Sequence, residues 1–256
     1  MSEARKKRSI AGVTYPAYER AAAPRAATLI YDTLRNDILS LRLKPMDLLN
    51  EKELQAQFGV SRTPIREAIL RLSDDGLVDV FPQAGTFVSR IPRRALYEAI
   101  LVRKALEDTT VSITTEKITP AGIRSLERNL DDLRACVHDG DFESFHVVDN
   151  DFHKLISDIA GFPGMWAIIQ QVKVHSDRYR LLTLPQEGRL ARVIEEHSGV
   201  IDCMKAGDKA GAAAAMGFHL GKLLGEVEKA VFWDPNYYIE DANSPLASKK
   251  EKEKNQ

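Results

Sequence analysis

The chain has 256 residues, of which 44% are hydrophobic and 29% are charged, a composition typical of soluble globular proteins with room for two modest domains. Its 36 basic and 37 acidic residues give a net charge of −1, which excludes the gross polyelectrolyte character of a protein that coats nucleic acid or membrane. Residues 1–90 are mildly basic and the remainder is acidic.

The two cysteines, Cys136 and Cys203, form neither a CxxC pair nor a disulfide framework, which favours a reducing, cytoplasmic setting. No apolar run is long enough for a membrane span or a signal-peptide core. The run RKKR at residues 5–8 suits a disordered solubilising tail better than a contact with DNA phosphates. We predict a disordered basic tail over 1–22 and a charged tail over 233–256.

Three helices are predicted at the start of the chain. Apolar residues recur at helical spacing from about Ala22 to Leu41 and indicate an amphipathic helix. After Pro45 breaks the chain, Asn50 and Glu53 form a pattern like a capping box, which begins a short helix that stops at Gly59. Ser61 is placed to cap the third helix, and Gly76 ends it.

The third helix separates apolar from polar side chains. Ile65, Ala68, Ile69 and Leu72 share one face, which turns Arg62, Thr63 and Arg66 toward solvent. Two β-prone runs, 77–81 and 86–90, then predict a hairpin whose turn ends at Gly85. A helix-turn-helix presents its second helix to the major groove, where arginine can donate two hydrogen bonds to guanine. The pattern therefore predicts a winged helix-turn-helix DNA-binding domain over residues 23–91.

The sequence from Leu29 to Arg90 resembles the winged-helix domain of the GntR family of bacterial transcription regulators, most specifically in GVSRTPIREAI at residues 59–69. The resemblance implies DNA contacts by Lys52, Ser61, Arg62, Thr63, Arg66 and Gly85. The chain departs from the family in the turns before the second helix, where the usual glycines are replaced by Leu41 and by Met46 after Pro45.

Beyond Ile91 the chain predicts helices without strands, and hence an all-α bundle over residues 92–232. The predicted helices run over 93–116, 120–139, 142–160, 165–182, 186–206 and 209–231. The small-residue run AGAAAAMG in the last helix favours close helix packing. The predicted fold is therefore mainly α, with an N-terminal winged helix-turn-helix and a small β-hairpin followed by an all-α helical bundle.

Four residues of the bundle have the chemistry of a metal site. Asp149 and His153 lie four residues apart, so their side chains project from one helix face, and His197 and His219 lie in two other helices. Three neutral imidazoles and one carboxylate suit zinc, nickel or manganese, with positions left for solvent or a ligand oxygen. Taken alone, each histidine fits a hydrogen-bonded core or surface residue better than a metal ligand.

The motifs DNDFHKLI, EEH and FHL are similar to the FCD effector-binding domain of the FadR-type branch of the GntR family, over about residues 96–228. In the metal-binding members of that branch, the resemblance implies that the ligands are Asp149, His153, His197 and His219. It also places Arg103 where such domains commonly meet an effector carboxylate. A plain ion pair between Arg103 and Glu107 is an equally good interpretation.

These patterns predict a ligand-responsive transcription regulator, with repression the commoner arrangement in the family, that binds palindromic double-stranded DNA as a homodimer. A small organic acid would complete the metal shell, meet Arg103 and change the DNA affinity. The alternatives are a metal-dependent hydrolase with Glu195 or Glu196 as base, and a module that the metal only stabilises. The hydrolase leaves the recognition helix unexplained, and both glutamates are expected to point away from an ion on His197.

Overall fold

The computed structural model describes residues 9–10, 13–14, 23–229 and 234–239. They divide into two compact units: the described residues up to Ile91 with Asp234–Ile239, and the described residues from Pro92 to the end of the last helix. The charged runs at 5–8 and 248–256, which we interpreted as tails, lie outside the described residues.

The first unit contains the predicted helices. A ladder between β1 (Ser9–Ile10) and β2 (Val13–Thr14) lies in the segment predicted as a basic tail. The helices are α1 (Ala23–Leu39), α2 (Glu51–Phe58) and α3 (Arg62–Asp74). α1 packs against α3, and the core includes the fully buried side chains of Leu34, Leu54 and Ile65. The apolar stripe of each helix is thus its packing face.

The two helices of the helix-turn-helix begin in different ways. The Asn50 side chain accepts a hydrogen bond from the backbone N–H of Lys52 at 3.0 Å, and Gly59 ends α2 in the left-handed conformation with φ 67°. Ser61 occupies the N-cap position of α3, but its side chain makes no capping hydrogen bond. Gly76, with φ 68°, follows the end of α3.

The predicted hairpin is formed by β3 (Val78–Phe81) and β4 (Gly85–Val88), which pair in antiparallel register with Phe81 opposite Gly85. The strand β4 also bonds to the segment before α2, because the Leu49 N–H donates to the carbonyl of Thr86 at 2.8 Å. The hairpin is therefore tied to the start of the helix-turn-helix.

The turns between α1 and α2 contain two residues in the left-handed conformation that usually favours glycine, although neither residue is glycine. Leu41 has φ 58° and Met46 has φ 70°, both in the left-handed region that side chains with a Cβ disfavour. These are the two positions at which the sequence departs from the family's glycines, so the substitutions leave the left-handed turns in place.

The second unit follows β5 (Ile91–Pro92) and consists of helices throughout its described residues, which confirms the predicted mainly α fold. The helices are α4 (Arg93–Lys117), α5 (Pro120–Asp139), α6 (Phe142–Ala160), α7 (Pro163–Val172), α8 (Val174–Thr183), α9 (Arg189–Lys205) and α10 (Lys209–Lys229). α10 packs against α4, and a Cβ on Gly217 would lie only 2.5 Å from Lys104 Nζ. None of the helices in the described part of the chain combines the length and apolarity that crossing a membrane requires.

One helix predicted over residues 165–182 is in fact two, α7 and α8, which meet at Lys173. The Lys173 side chain is 2% exposed, and its Nζ donates to Asn150 Oδ1 at 2.9 Å and to Asp177 Oδ2 at 2.5 Å. No glycine or proline marks this junction in the sequence. The break lies where a buried lysine meets its polar partners.

The segment Asp234–Ile239, within the predicted charged tail, belongs to the first unit. Its strand β6 (Tyr238–Ile239) joins β5 in a two-stranded sheet, and the Ile91 N–H donates to the carbonyl of Tyr237 at 2.8 Å. Tyr238 is buried. Six residues of the C-terminal region therefore pack as part of the N-terminal unit.

We expect Asn50→Ala to lower the free energy of unfolding by about 1 kcal/mol, because the Lys52 N–H loses its acceptor. Ser61→Ala is the matched control: Ser61 holds the same position on α3 without a side-chain cap bond, so the change should stay below about 0.5 kcal/mol. Urea unfolding followed by circular dichroism measures both variants. Equal losses of unfolding free energy in the two variants would show that the hydrogen bond to Asn50 does not stabilise the fold.

Candidate functional site

The first unit exposes the residues predicted to contact DNA. Lys52, Ser61, Arg62, Thr63 and Arg66 are exposed, and the side chains of Arg62 and Arg66 are each 61% exposed. One surface depression is lined by Lys52, Arg62 and Gly85, and a second by Arg62, Thr63 and Arg66. The structure thus brings five of the six predicted residues around Arg62, whereas Ser61 lines neither depression.

A glutamate that the sequence analysis did not single out holds both arginines. Glu51 Oε2 accepts a hydrogen bond from Arg62 Nε at 2.8 Å and lies 3.5 Å from Arg66 Nε. Each guanidinium has further donors on Nη1 and Nη2, which is the geometry that bidentate recognition requires. Glu51 lies in the first turn of α2, so no spacing along α3 could have indicated the contact.

The second unit brings together the four predicted metal ligands. Asp149 and His153 come from α6, His197 from α9 and His219 from α10, and one ligand atom from each lies within 4.8 Å of all the others. All four are buried. The His197 Nε2 lies 3.7 Å from Asp149 Oδ1 and 3.4 Å from His219 Nε2, and the His153 Nε2 lies 3.9 Å from Asp149 Oδ2.

Two glutamates orient the imidazoles of this cluster. His153 Nδ1 lies 2.5 Å from Glu107 Oε2, and His219 Nδ1 lies 2.7 Å from Glu196 Oε2. A carboxylate on Nδ1 leaves Nε2 of the same ring for a metal ion and fixes the ring's direction. The ring of His197 is held differently, by stacking on Phe152 with ring centroids 3.9 Å apart. Glu107 and Glu196 are therefore the outer partners of two ligands.

Burial and neighbouring charges set the protonation of the cluster. Burial alone would raise the pKa of Asp149, but Arg180 and the nearby histidines hold this pKa well below its usual range. Burial lowers the pKa of His153, and it lowers the pKa of His197, to which the neighbouring His219 adds. At neutral pH these groups are an ionised carboxylate and neutral imidazoles, the forms that bind metal ions.

Unpartnered polar atoms indicate that the cluster suits an ion. Within the described residues, Asp149 Oδ2 and His153 Nε2 are buried and have no hydrogen-bond partner. Buried polar atoms are nearly always paired, so facing acceptors without donors are an unusual arrangement in a folded core. An ion shared by the carboxylate and the imidazoles would satisfy them, and the set of one oxygen and three nitrogens fits a borderline transition metal.

Arg103 forms the predicted ion pair with Glu107 and keeps two further donors. Its Nε donates to Glu107 Oε1 at 2.7 Å, while Nη1 and Nη2 are buried with no hydrogen-bond partner in the described part of the chain. Arg103 lines a cavity of about 50 Å³ that His219 also lines. The ion pair with Glu107 thus coexists with donors that are left without a protein acceptor beside the metal cluster.

A second arginine, Arg180 of α8, was missed by the sequence analysis. It is 5% exposed, lines the same cavity, and places Nη2 2.5 Å from Asp149 Oδ1. Burial alone would lower the pKa of Arg180, but the charge of Asp149 raises it. His146, also buried, lies outside the cluster, with Nε2 3.1 Å from Asn150 Nδ2 and 3.7 Å from Asp177 Oδ1.

Comparison with known proteins gives both units a family. Residues 26–88 match the model of bacterial regulatory proteins of the gntR family, and residues 97–222 match the FCD domain. An HTH-type transcriptional regulator in an unstable DNA locus of Streptomyces ambofaciens is 34% identical over 213 residues, which cover 83% of this chain and 89% of that protein. The HTH-type transcriptional repressor RspR of Escherichia coli K12 is 27% identical over 212 residues, covering 83% of this chain and 93% of RspR.

Solved structures of bacterial regulators share the fold of this chain. E. coli McbR/YncC aligns with a TM-score of 0.66 and 25% identity, covering 80% of this chain and 97% of that one. A GntR regulator from Rhodococcus sp. RHA1 shares the fold with a TM-score of 0.68 at 20% identity, covering 81% of this chain and all of that one (100%). The chain therefore belongs to the GntR family of bacterial transcription regulators and joins that family's helix-turn-helix domain to an FCD domain.

Proposed function

We propose that this protein is a transcription repressor that binds its operator as a homodimer and releases it when a small organic acid binds to the metal-loaded FCD domain. The observation that carries the proposal is the shared cavity: it is lined by the metal-cluster residue His219 and by Arg103, whose Nη1 and Nη2 have no hydrogen-bond partner among the described residues. An acid carboxylate there would reach both the ion and a guanidinium.

The DNA-binding half of the proposal is supported by the exposed recognition helix. We propose contacts by Lys52, Ser61, Arg62, Thr63, Arg66 and Gly85. A homodimer has twofold symmetry, so two such helices would read the half-sites of a palindromic operator. The similarity to RspR, whose name describes a repressor, favours repression. We place this activity in the cytoplasm.

Asp149, His153, His197 and His219 would hold the metal ion, which we propose to be zinc, with nickel or manganese as alternatives. When bound, the ion supplies a positive charge and open coordination positions for a carboxylate oxygen. The chain's own residues do the rest: Glu107 and Glu196 fix two imidazoles, and Arg103 offers Nη1 and Nη2 to the acid. By linkage, an acid that weakens DNA binding is itself held less tightly by the DNA-bound form.

The hydrolase alternative needs a free general base near the ion, and neither glutamate fits that role. Glu195 is exposed on α9. Glu196 is engaged by His219 Nδ1 and, at 2.6 Å, by Lys222 Nζ. A carboxylate that pairs with the Nδ1 of an imidazole orients that ring and is not free to act as a general base. We therefore propose a regulator and not an enzyme.

For DNA readout, we expect Arg62→Ala to cost about 1 to 3 kcal/mol of operator affinity and to relax base preference at one symmetric position. Lys52→Ala, if Lys52 contacts only phosphate, should weaken all sequences alike and flatten the salt dependence by about one unit of slope per contact. An operator selected from random DNA, followed by titration in varied salt, measures both. Unchanged base preference in a folded Arg62→Ala protein would refute the readout role.

The contact between Glu51 and the two arginines generates a separate prediction. Glu51→Gln frees both guanidinium groups and removes a negative charge facing DNA, so non-specific DNA affinity should rise and the preference for the operator should fall by roughly 3- to 10-fold. Glu53→Gln is the control, because Glu53 lies in the same turn and accepts a hydrogen bond from the Asn50 side chain. Competition between operator and random DNA measures the ratio. A preference unchanged from wild type would mean that Glu51 does not position the arginines.

For effector control, we expect His197→Ala to lower metal affinity by about 10- to 100-fold or more and to blunt acid-induced release of DNA. Operator binding without acid should survive, because the recognition helix belongs to the other unit. His175→Ala is the control, since His175 is largely buried in α8 but outside the cluster. Elemental analysis and operator affinity, with and without a panel of carboxylic acids, are measured on each preparation. Full metal content with an undiminished acid response in His197→Ala would refute the site.

A further inference from the structure

We infer that the cavity beside the metal cluster selects a dianionic acid, whose second anionic group is bound by Arg192 with support from Lys222. This inference rests on the proposed function, because it assumes that a first carboxylate binds near the ion and Arg103. It goes further by naming the charge of the effector and the residue that distinguishes it from a monocarboxylic acid.

The charges around the cavity leave room for more than one negative group. The lining includes five cations: Arg103, Arg180, Arg189, Arg192 and Lys222. Four carboxylates contact them, since Glu107 pairs with Arg103, Asp149 with Arg180, Glu226 with Arg189 and Glu196 with Lys222. The cavity thus has one more cation than carboxylate before a divalent ion binds. With that ion, a monoanion would leave the site strongly positive, whereas a dianion brings it close to balance.

Arg192 is the one cation of the cavity lining that is not paired with a carboxylate among the described residues. Its Nη1 only reaches the carbonyl of Glu187, at 3.5 Å. The Arg192 side chain is exposed, whereas Arg103 is buried. Lys222 is also exposed, and its Nζ is shared with Glu196. An anionic group that enters from solvent would therefore meet the Arg192 guanidinium, which has open donors, and the Lys222 ammonium, which lines the same cavity.

The helix α9 separates the two anion positions. On the cavity-facing side of α9, Arg192 precedes Glu196, the partner of the metal-cluster residue His219, by four residues, which corresponds to an axial rise of about 6 Å. Arg189, Val193 and Glu196 share the cavity-facing side of this helix with Arg192. A flexible arginine can shorten or lengthen that span, so the separation suits a short aliphatic diacid with one carboxylate at each end of the cavity.

The size of the cavity adds a further constraint. About 50 Å³ holds only a few water molecules, so a bound acid must displace side chains. The buried walls are fixed by ion pairs, whereas Arg192 is exposed and lacks a carboxylate partner in the described part of the chain. The exposed end therefore opens most readily, and the residue that moves there is the one that contacts the second anionic group.

The test compares matched acids on the metal-loaded, full-length protein by calorimetry. Succinate and butyrate have the same carbon count and differ by one carboxylate; malonate with propionate and glutarate with valerate extend the series. We expect the best diacid to bind at least about 10-fold tighter than its matched monoacid, the weight of one charge-assisted contact. Arg192→Gln should reduce that ratio to within about 2-fold while leaving the monoacid affinity and metal content unchanged.

Arg134→Gln is the control, because it removes an exposed cation of the same unit that pairs with Asp131 on α5. It should leave every affinity as in wild type. Equal binding of diacid and monoacid by wild type, or an equal loss of both in Arg192→Gln, would overturn the dianion inference while the acid-sensing function stands. If no acid of either series binds the metal-loaded protein, the proposed acid response fails together with the inference.

Discussion

Asp149 is a carboxylate with no solvent exposure, and the interior of the FCD domain is arranged around its charge. An isolated buried carboxylate is costly, so the fold must supply cations or hydrogen-bond donors close to it. Arg180 supplies one cation directly, whereas His153 and His197 place Nε2 atoms 3.9 Å and 3.7 Å from the two carboxylate oxygens, where a metal ion would add a second positive charge. Helices α6, α8 and α9 therefore meet around one negative charge, and α10 joins them through His219.

The same carboxylate lies near two side chains, and one of them, Arg180, also lines the cavity. Asp149 Oδ1 lies near both Arg180 and His197, so an ion on that oxygen would share it with a guanidinium. Any weakening of the Arg180 contact leaves donors of this arginine for the cavity that Arg103 also lines. In the proposed metal-loaded state, a side chain of α8 would therefore link the ion to the cavity.

The sequence predicted those parts of the molecule that depend on local pattern. The apolar stripe of α3 and the Asn50 cap follow from spacing and turn chemistry, and α5 and α6 begin and end at the predicted residues. The break at Lys173 was missed because no glycine or proline marks it, and the Lys173 contact with Asn150 of α6 is tertiary. The roles of Glu51, Glu107, Glu196 and Arg180 were missed for the same reason, since each acts on a residue of another helix. The four residues proposed as ligands were grouped only because the resemblance added to a pattern that spacing alone leaves ambiguous.

Leu41 and Met46 show that a turn can keep its left-handed conformation when other residues replace glycine. Surrounding bonds enforce the shape, since Leu43 N–H donates to the carbonyl of Asp37 at 2.9 Å and Lys44 N–H donates to Asp47 Oδ2 at 2.8 Å. A side chain in this conformation costs about 1 to 2 kcal/mol, which is partly offset because a residue other than glycine loses less backbone freedom on folding. A residue with a Cβ at either position therefore keeps part of that cost, which the surrounding hydrogen bonds must offset. A search for relatives that demands glycine there would discard this chain, although its turns are left-handed.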